Sequence, residues 1–183
     1  MYWAIIAIGL FWAGLATAAT LPHSPHANQM QVYGSQDQGA TFPVRAPLPD
    51  VNDGPDIIVY GYQAYWDDDL NAVPWDDISH IALFSANANT SGGLDSTSRW
   101  DEAESAVTIA SAYDVKVHLC VTNFDSDELD TILSSSTIRN KLISELKDWQ
   151  DQTGVDGINI DFEGLPSSVK QEMVTFTEDL ADE

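Results

Sequence analysis

The chain has 183 residues, 44% of them apolar, with six each of Trp, Tyr and Phe, which suits one domain with a real core. Its 29 Asp and Glu against 7 Lys and Arg leave a formal charge of −22. A field of that sign repels phosphate backbones and anionic lipid, so nucleic acid is excluded as a natural partner.

The first nineteen residues, MYWAIIAIGLFWAGLATAA, carry no charged side chain and end in small residues, with Ala16-Thr17-Ala18 fitting an A-x-A cleavage site. They read as a secretory signal peptide over residues 1–19, which predicts a secreted protein with no stable membrane association after cleavage. An uncleaved membrane anchor is the alternative, because no Lys or Arg precedes the apolar run. Residues 20–56 hold six of the eight prolines with Ser, Gln, Asn and Gly and show no sustained period, so they read as a flexible linker. His23 and His26 lie within it at H-x-x-H spacing without further ligands nearby and are expected to be solvated.

From residue 57 apolar runs alternate with helical periods. Strands are expected at Ile57 to Gln63 (IIVYGYQ), Ile78 to Ser85 (ISHIALFS), Val115 to Val121 (VKVHLCV) and Gly157 to Phe162. Ser98 can cap a helix running to Tyr113, with Trp100, Ala103, Val107 and Ala110 along one side. A short helical turn is expected from Asp125 to Leu133. A longer helix starts at Ser136, with Ile138, Leu142, Ile143, Leu146 and Trp149 inside and Gly154 as its stop. After the fourth strand, Ser168 and Gln171 make a capping box ahead of Val169, Met173, Phe176 and Leu180. Strands and helices in alternation imply an α/β fold with parallel pairing through right-handed crossovers. No glycine-rich phosphate loop follows any strand, which removes the commonest functional reason for an open, doubly wound sheet.

The stretch VDGINIDFEGLP sets Asn159, Asp161 and Glu163 at every second position of an apolar run. Side chains alternate across a strand, so these three share one face while Ile158, Ile160 and Phe162 share the other. The apolar set can pack under helices; the polar set has to face a wet or chemically special place, because burying unpaired carboxylates is costly. The C-terminal mouth of a parallel barrel is such a place. Glu163 would stand at the rim, with Asp161 one layer deeper and Asn159 below it. Two carboxylates so close resist ionising together, so one keeps its proton near neutral pH and can act as a general acid.

Two alternatives stand beside this reading. One is a solvent-facing edge strand of alternating polarity. The other is a divalent-metal site, for which His118, sharing the parity of Cys120, is the nearest additional ligand. Neither a metal nor a cofactor is expected. Asp67, Asp68 and Asp69 read as a loop, and NFDSDELD lacks the central glycine and terminal glutamate of a calcium loop. Cys120 is the lone cysteine, expected as a buried, inert thiol. Tyr62, Tyr65 and Trp66 follow the first strand and are candidates to stack on sugar rings, whereas Tyr60 lies deeper and suits core packing.

DGINIDFEG resembles the DGxDxDxE signature on the fourth strand of glycoside hydrolase family 18, the chitinase-like hydrolases. IIVYGYQAYW is similar to that family's first strand, with Tyr62 in place of the tyrosine after its glycine, and VPWDDISHIALF to the approach to its second. The resemblance runs from Ile57 to Leu180 and implies a partial TIM (β/α)8 barrel, with residues 57–183 forming the N-terminal half of a catalytic domain. It further implies that Glu163 donates the proton to the glycosidic oxygen and that Asp161 holds the substrate's 2-acetamido group. The acetamido carbonyl itself is then the nucleophile, in a substrate-assisted, retaining reaction. The implied partner is a polysaccharide containing N-acetylglucosamine, chitin first and peptidoglycan second. The alternatives are a catalytically silent carbohydrate-binding relative and a non-functional fragment.

There are departures from the pattern. Asn159 stands where the family more often has an aspartate, and CVTN, Cys120 to Asn123, replaces its S-x-G-G on strand three. A closed barrel needs eight strands over about 250 residues, so four strands are expected to be half of a longer protein or the product of a truncated gene.

The carboxylate excess reads first as a solvated acidic surface; the alternative, suggested by its having only four lysines against it, is a protein working in high salt. Raising ionic strength from about 0.1 M to about 1 M shortens the screening length from about 10 Å to about 3 Å. The unfolding midpoint, followed by circular dichroism, should rise over that range; a flat or falling midpoint removes the idea.

Overall fold

The computed structural model describes residues 26, 30–32, 57–67 and 69–183. The expected signal peptide lies outside the described residues, as does most of the expected linker. Four parallel strands form the sheet in the order β1 (Tyr60–Ala64), β2 (His80–Ala88), β4 (Lys116–Asn123) and β5 (Gly157–Phe162). A two-residue strand, β3 (Leu94–Asp95), pairs antiparallel with the end of β2. Among the described residues no helix is long and apolar enough to cross a membrane.

The fourth expected strand matches its observed bounds; the others start or end later than expected. Ile57 and Ile58 are 70% exposed and outside β1, because among the described residues no strand pairs with them to realise their strand propensity. β2 runs on to Ala88 since β3 and β4 both offer pairing there, with a register shift between Phe84 and Ala86.

The connection from β1 to β2 contains two 3-10 turns, Leu70–Ala72 and Trp75–Asp77. Asp69 caps the first by accepting from the Asn71 amide, and the Trp75 indole donates to the Leu70 carbonyl at 3.0 Å. The long helix expected from Ser98 is instead a 3-10 turn, Thr97–Trp100, followed by α1 (Ala103–Ala110), and no side chain caps either. Trp100 explains the break: it is fully buried and its indole donates to the Leu83 carbonyl at 3.1 Å, which pins the chain to β2 before the helix starts. α2 (Ser126–Ser134) starts at Asp125, whose carboxylate accepts from the amides of Asp127 and Glu128. α3 (Ser136–Thr153) is capped by Ser135 and stops at Gly154, which takes the left-handed conformation at φ 71°.

The capping box expected at Ser168 does not form. Residues Ser167–Val169 are a 3-10 turn, α4 (Lys170–Ala181) begins later, and the Ser168 hydroxyl donates to Asp130 at 2.7 Å. A tertiary partner has taken the hydroxyl that a local cap would have used.

The sheet has two unlike faces. Toward the helices point Ile81, Leu83, Val117, Leu119, Val121 and Phe162, buried against Leu129, Ile132, Leu142, Leu146 and Phe176. Ile158 and Ile160 pack against the same core, and the rings of Phe162 and Phe176 stack at 5.9 Å. The opposite face carries Ala82, Phe84 and Cys120, a smaller apolar cluster bordered by Tyr60, Tyr65, Trp66 and Phe124.

Leu146 is fully buried between α3 and the sheet. Leu146→Ala should lower unfolding free energy by about 2–5 kcal/mol, measured by urea denaturation, since a lost side chain leaves a cavity that the packed layer closes only in part.

Candidate active site

Alternation on β5 puts Asn159 and Asp161 on the face away from the helices, and β4 fixes their neighbours: Cys120 lies beside Asn159 and Thr122 beside Asp161. The Glu163 amide still donates to the Asn123 carbonyl at 3.1 Å, so Glu163 keeps the strand's alternation one step past its end. Gly164 follows at φ 76° and turns the chain away, a conformation that a side chain would strain. Glu163 is thereby left at the rim with Asp161 below it; their side chains are 23% and 12% exposed.

The His26 ring sits over both carboxylates. Its Nδ1 lies 2.6 Å from Asp161 Oδ2 and 3.4 Å from Glu163 Oε1. Its centroid is 5.3 Å from Tyr62 and 5.4 Å from Phe84. This corrects the expectation of a solvated linker histidine. The contact joins positions 135 apart, and no local pattern could reveal it. The three side chains can bring one ligand atom each within 4.8 Å of one another, and a nitrogen with two carboxylate oxygens is a donor set of the kind zinc takes.

Of the three aromatic candidates, Tyr62 is brought to the site: its hydroxyl points at Asn159 Oδ1 at 3.4 Å, and the residue is 46% exposed. Trp66 meets Phe84 edge-on at 5.8 Å, and Phe84 meets Tyr62 in turn, so an unbroken aromatic wall borders the carboxylates. Tyr65 has a different neighbour, the Arg99 guanidinium 3.9 Å above its ring. A cleft beside it, lined by Gln63, Leu70, Ser98, Arg99 and Glu102 among others, contains none of Asn159, Asp161 or Glu163. Phe84 could have been found in the sequence, since it shares the parity of His80 and Ala82 on a strand that was recognised.

His118 does not join the carboxylates. Its Nδ1 is 2.8 Å from the Tyr60 hydroxyl, and it stands opposite Gly157, the strand's only position without a side chain, whose added Cβ would lie 3.4 Å from the His118 ring. Burial lowers the His118 pKa, with nearby His80 adding to the effect. Burial also pushes the Tyr60 hydroxyl up to about 12. Tyr60 is therefore a neutral hydrogen-bonding partner and part of the floor. The Cys120 thiol is raised by burial and then by the charge of Asp161, as an inert thiol should be. Thr122, where the family pattern has a glycine-rich segment, is buried, with its hydroxyl 2.8 Å from Asn87 Oδ1. Asn123 donates to the Ala88 carbonyl and to Glu128, which ties the rim to α2.

Burial is the largest influence on Asp161 and raises its carboxyl above the ordinary 3.8; the His26 contact opposes this, and the charge of Glu163 adds to the rise. A carboxyl raised on folding favours the protonated form of the folded protein. Its stabilising contribution is whole below the ordinary value and is lost as pH climbs through the raised one. Asp161→Asn cannot ionise and should escape that loss. Urea midpoints of variant and wild type should lie closest below pH 3.8, with the variant increasingly ahead at higher pH; a gap independent of pH would count against a raised Asp161.

No family-level sequence profile and no curated protein matches the chain. Solved structures do. A chitinase from Bacteroides thetaiotaomicron is similar at 21% identity and a TM-score of 0.61, over 67% of this chain and 42% of that one. The Bacillus cereus spore cortex-lytic enzyme SleL is similar at 24% identity and a TM-score of 0.52, over 58% of this chain and 26% of its own. A class V chitinase from Nicotiana tobaccum, in a mutant form in complex with NAG4, matches at 16% identity and a TM-score of 0.53, over 66% of this chain and 37% of its own. The chain thus spans less than half the length of each of these solved structures. Its parallel strands and helices have the chitinase-like fold, as one part of an α/β TIM barrel.

Proposed function

We propose that the protein is an exported chitinase-like glycosidase that hydrolyses β-1,4-linked polymers of N-acetylglucosamine, chitin first and peptidoglycan second. The observation that carries this reading is the placement of Glu163 at the rim above Asp161, on one face of one strand, close enough for a single ring nitrogen to touch both. Solved neighbours with this fold include chitinases, one of them with NAG4, and a spore cortex-lytic enzyme, which supports such a substrate class.

In the proposed reaction, protonated Glu163 gives its proton to the glycosidic oxygen as the bond from C1 to that oxygen breaks. The carbonyl oxygen of the 2-acetamido group closes on C1 from the opposite face and forms an oxazolinium ion; the departing sugar carries the proton away. Asp161 faces the acetamido nitrogen, and its negative charge offsets the positive charge that develops there. Water then adds to C1 as the bond from C1 to the acetamido oxygen breaks and the acetamido group is restored, Glu163 takes the water's proton, and the two inversions retain the configuration at C1. Tyr62 and the aromatic wall through Phe84 to Trp66 supply flat apolar surface for sugar rings.

A second reading, recognition without turnover, is favoured by Asn159 in place of an inner carboxylate. Glycan binding with no reducing ends released would establish it.

Under the hydrolytic reading, Glu163→Gln should lower kcat on N-acetylglucosamine oligomers by about 10²–10⁴-fold with KM little changed, because only the proton donor is removed. Undiminished reducing-end release by that variant would exclude Glu163 as the acid.

A further inference from the structure

We infer that the segment carrying His26 and Met30 is an internal occupant of the glycan site, docked against the carboxylate pair and displaced when sugar binds. The inference rests on the reading of Asp161 and Glu163 as glycan-binding groups. Two anchors, four positions apart in sequence, reach this face independently. The first is His26, which brings one ring nitrogen to Asp161 and Glu163 and lays its ring beside Tyr62 and Phe84. The second is Met30, which packs on the apolar cluster of Ala82, Phe84 and Cys120. His26 and residues 30–32 are helical, and each of the two anchors makes its own contacts with this face.

The two anchors divide the physical work. Met30 covers apolar surface that would otherwise face water, and a flexible thioether fits such a patch without a tailored cavity. His26 supplies a hydrogen-bonding nitrogen to a carboxylate that burial has already made costly to ionise. On the proposed reading, the place its ring takes, beside Tyr62 and against the two carboxylates, is where the sugar's acetamido group would sit. Ring and sugar exclude one another, so the segment competes with substrate in cis, at an effective concentration set by the connecting chain.

The test is nuclear magnetic resonance on the full chain with labelled histidine and aromatic rings, in the presence of a chelator so that no cation bridges the three groups. Cross-relaxation between the His26 and Tyr62 rings should be present in the wild type, weaken in Asp161→Asn, and vanish on saturation with N-acetylglucosamine tetramer. The double variant His26→Ala/Met30→Ala should bind that tetramer about tenfold more tightly than wild type, the gain expected if the site is open about a tenth of the time. Absence of the ring contact in the wild type, its persistence under saturating tetramer, or equal affinities of the two proteins would overturn the inference. If the ring contact is present and lost in Asp161→Asn but neither protein binds the tetramer, the functional reading fails, and with it the role of the segment as a competitor of sugar.

Discussion

The structure depends on one constraint, the two-sidedness of β5. In a parallel strand each backbone group is committed to its neighbours, so side chains can only go up or down, and a shift by one residue would exchange the faces. The register of β4 against β5 settles which way: Val121 stands beside Ile160 on the helix side, and Thr122 beside Asp161 on the other. A slip would put Asp161 among Leu129, Leu142 and Phe176, where an unpaired carboxylate would be very costly. The hydrophobic core therefore aims the carboxylates, although it touches neither.

The same constraint explains the character of the inner face. β1, β2, β4 and β5 contribute Tyr60 and Tyr62, Ala82 and Phe84, His118 and Cys120, and Asn159 and Asp161 to it, a graded set in which aromatic and polar groups sit in layers. The lower layer is closed on itself by the Tyr60 to His118 hydrogen bond and the stacking of Tyr60 on His80 at 5.7 Å. The upper layer is where charge collects, because Gly164 and the 3-10 turn after it take the chain away and leave Glu163 at the rim, under the His26 ring. Under the proposed hydrolytic reading, such a hydrogen-bonded floor suits preorganised electrostatics, since groups that are already aimed need not reorganise when charge develops.

Much of this was legible in the residues. The alternation in GINIDF identified the strand, its bounds and the face its polar groups share, because period two has one structural meaning in a run this apolar. The apolar face of α3 and its stop at Gly154 were legible for the same local reason. Where the structure departs from local preference, a distant partner has overridden it. Trp100 is held by the Leu83 carbonyl and interrupts a helix that propensity would have continued; Ser168 gives its hydroxyl to Asp130 instead of capping α4; Ile57 and Ile58 have strand propensity and, among the described residues, no strand to join.

What the sequence determined by itself was therefore periodic: an α/β chain, the location of its strands and main helices, and three oxygen-bearing side chains on one face of the fourth long strand. Only the tertiary structure decided what stands around those side chains. His26 reaches Asp161 across 135 positions, Phe84 joins Tyr62 to Trp66, His118 turns to Tyr60, and Tyr65 lies under Arg99. The physical reason is that periodicity reports how a residue relates to its own backbone, whereas a site is made by side chains whose backbones meet only after the sheet has closed its register.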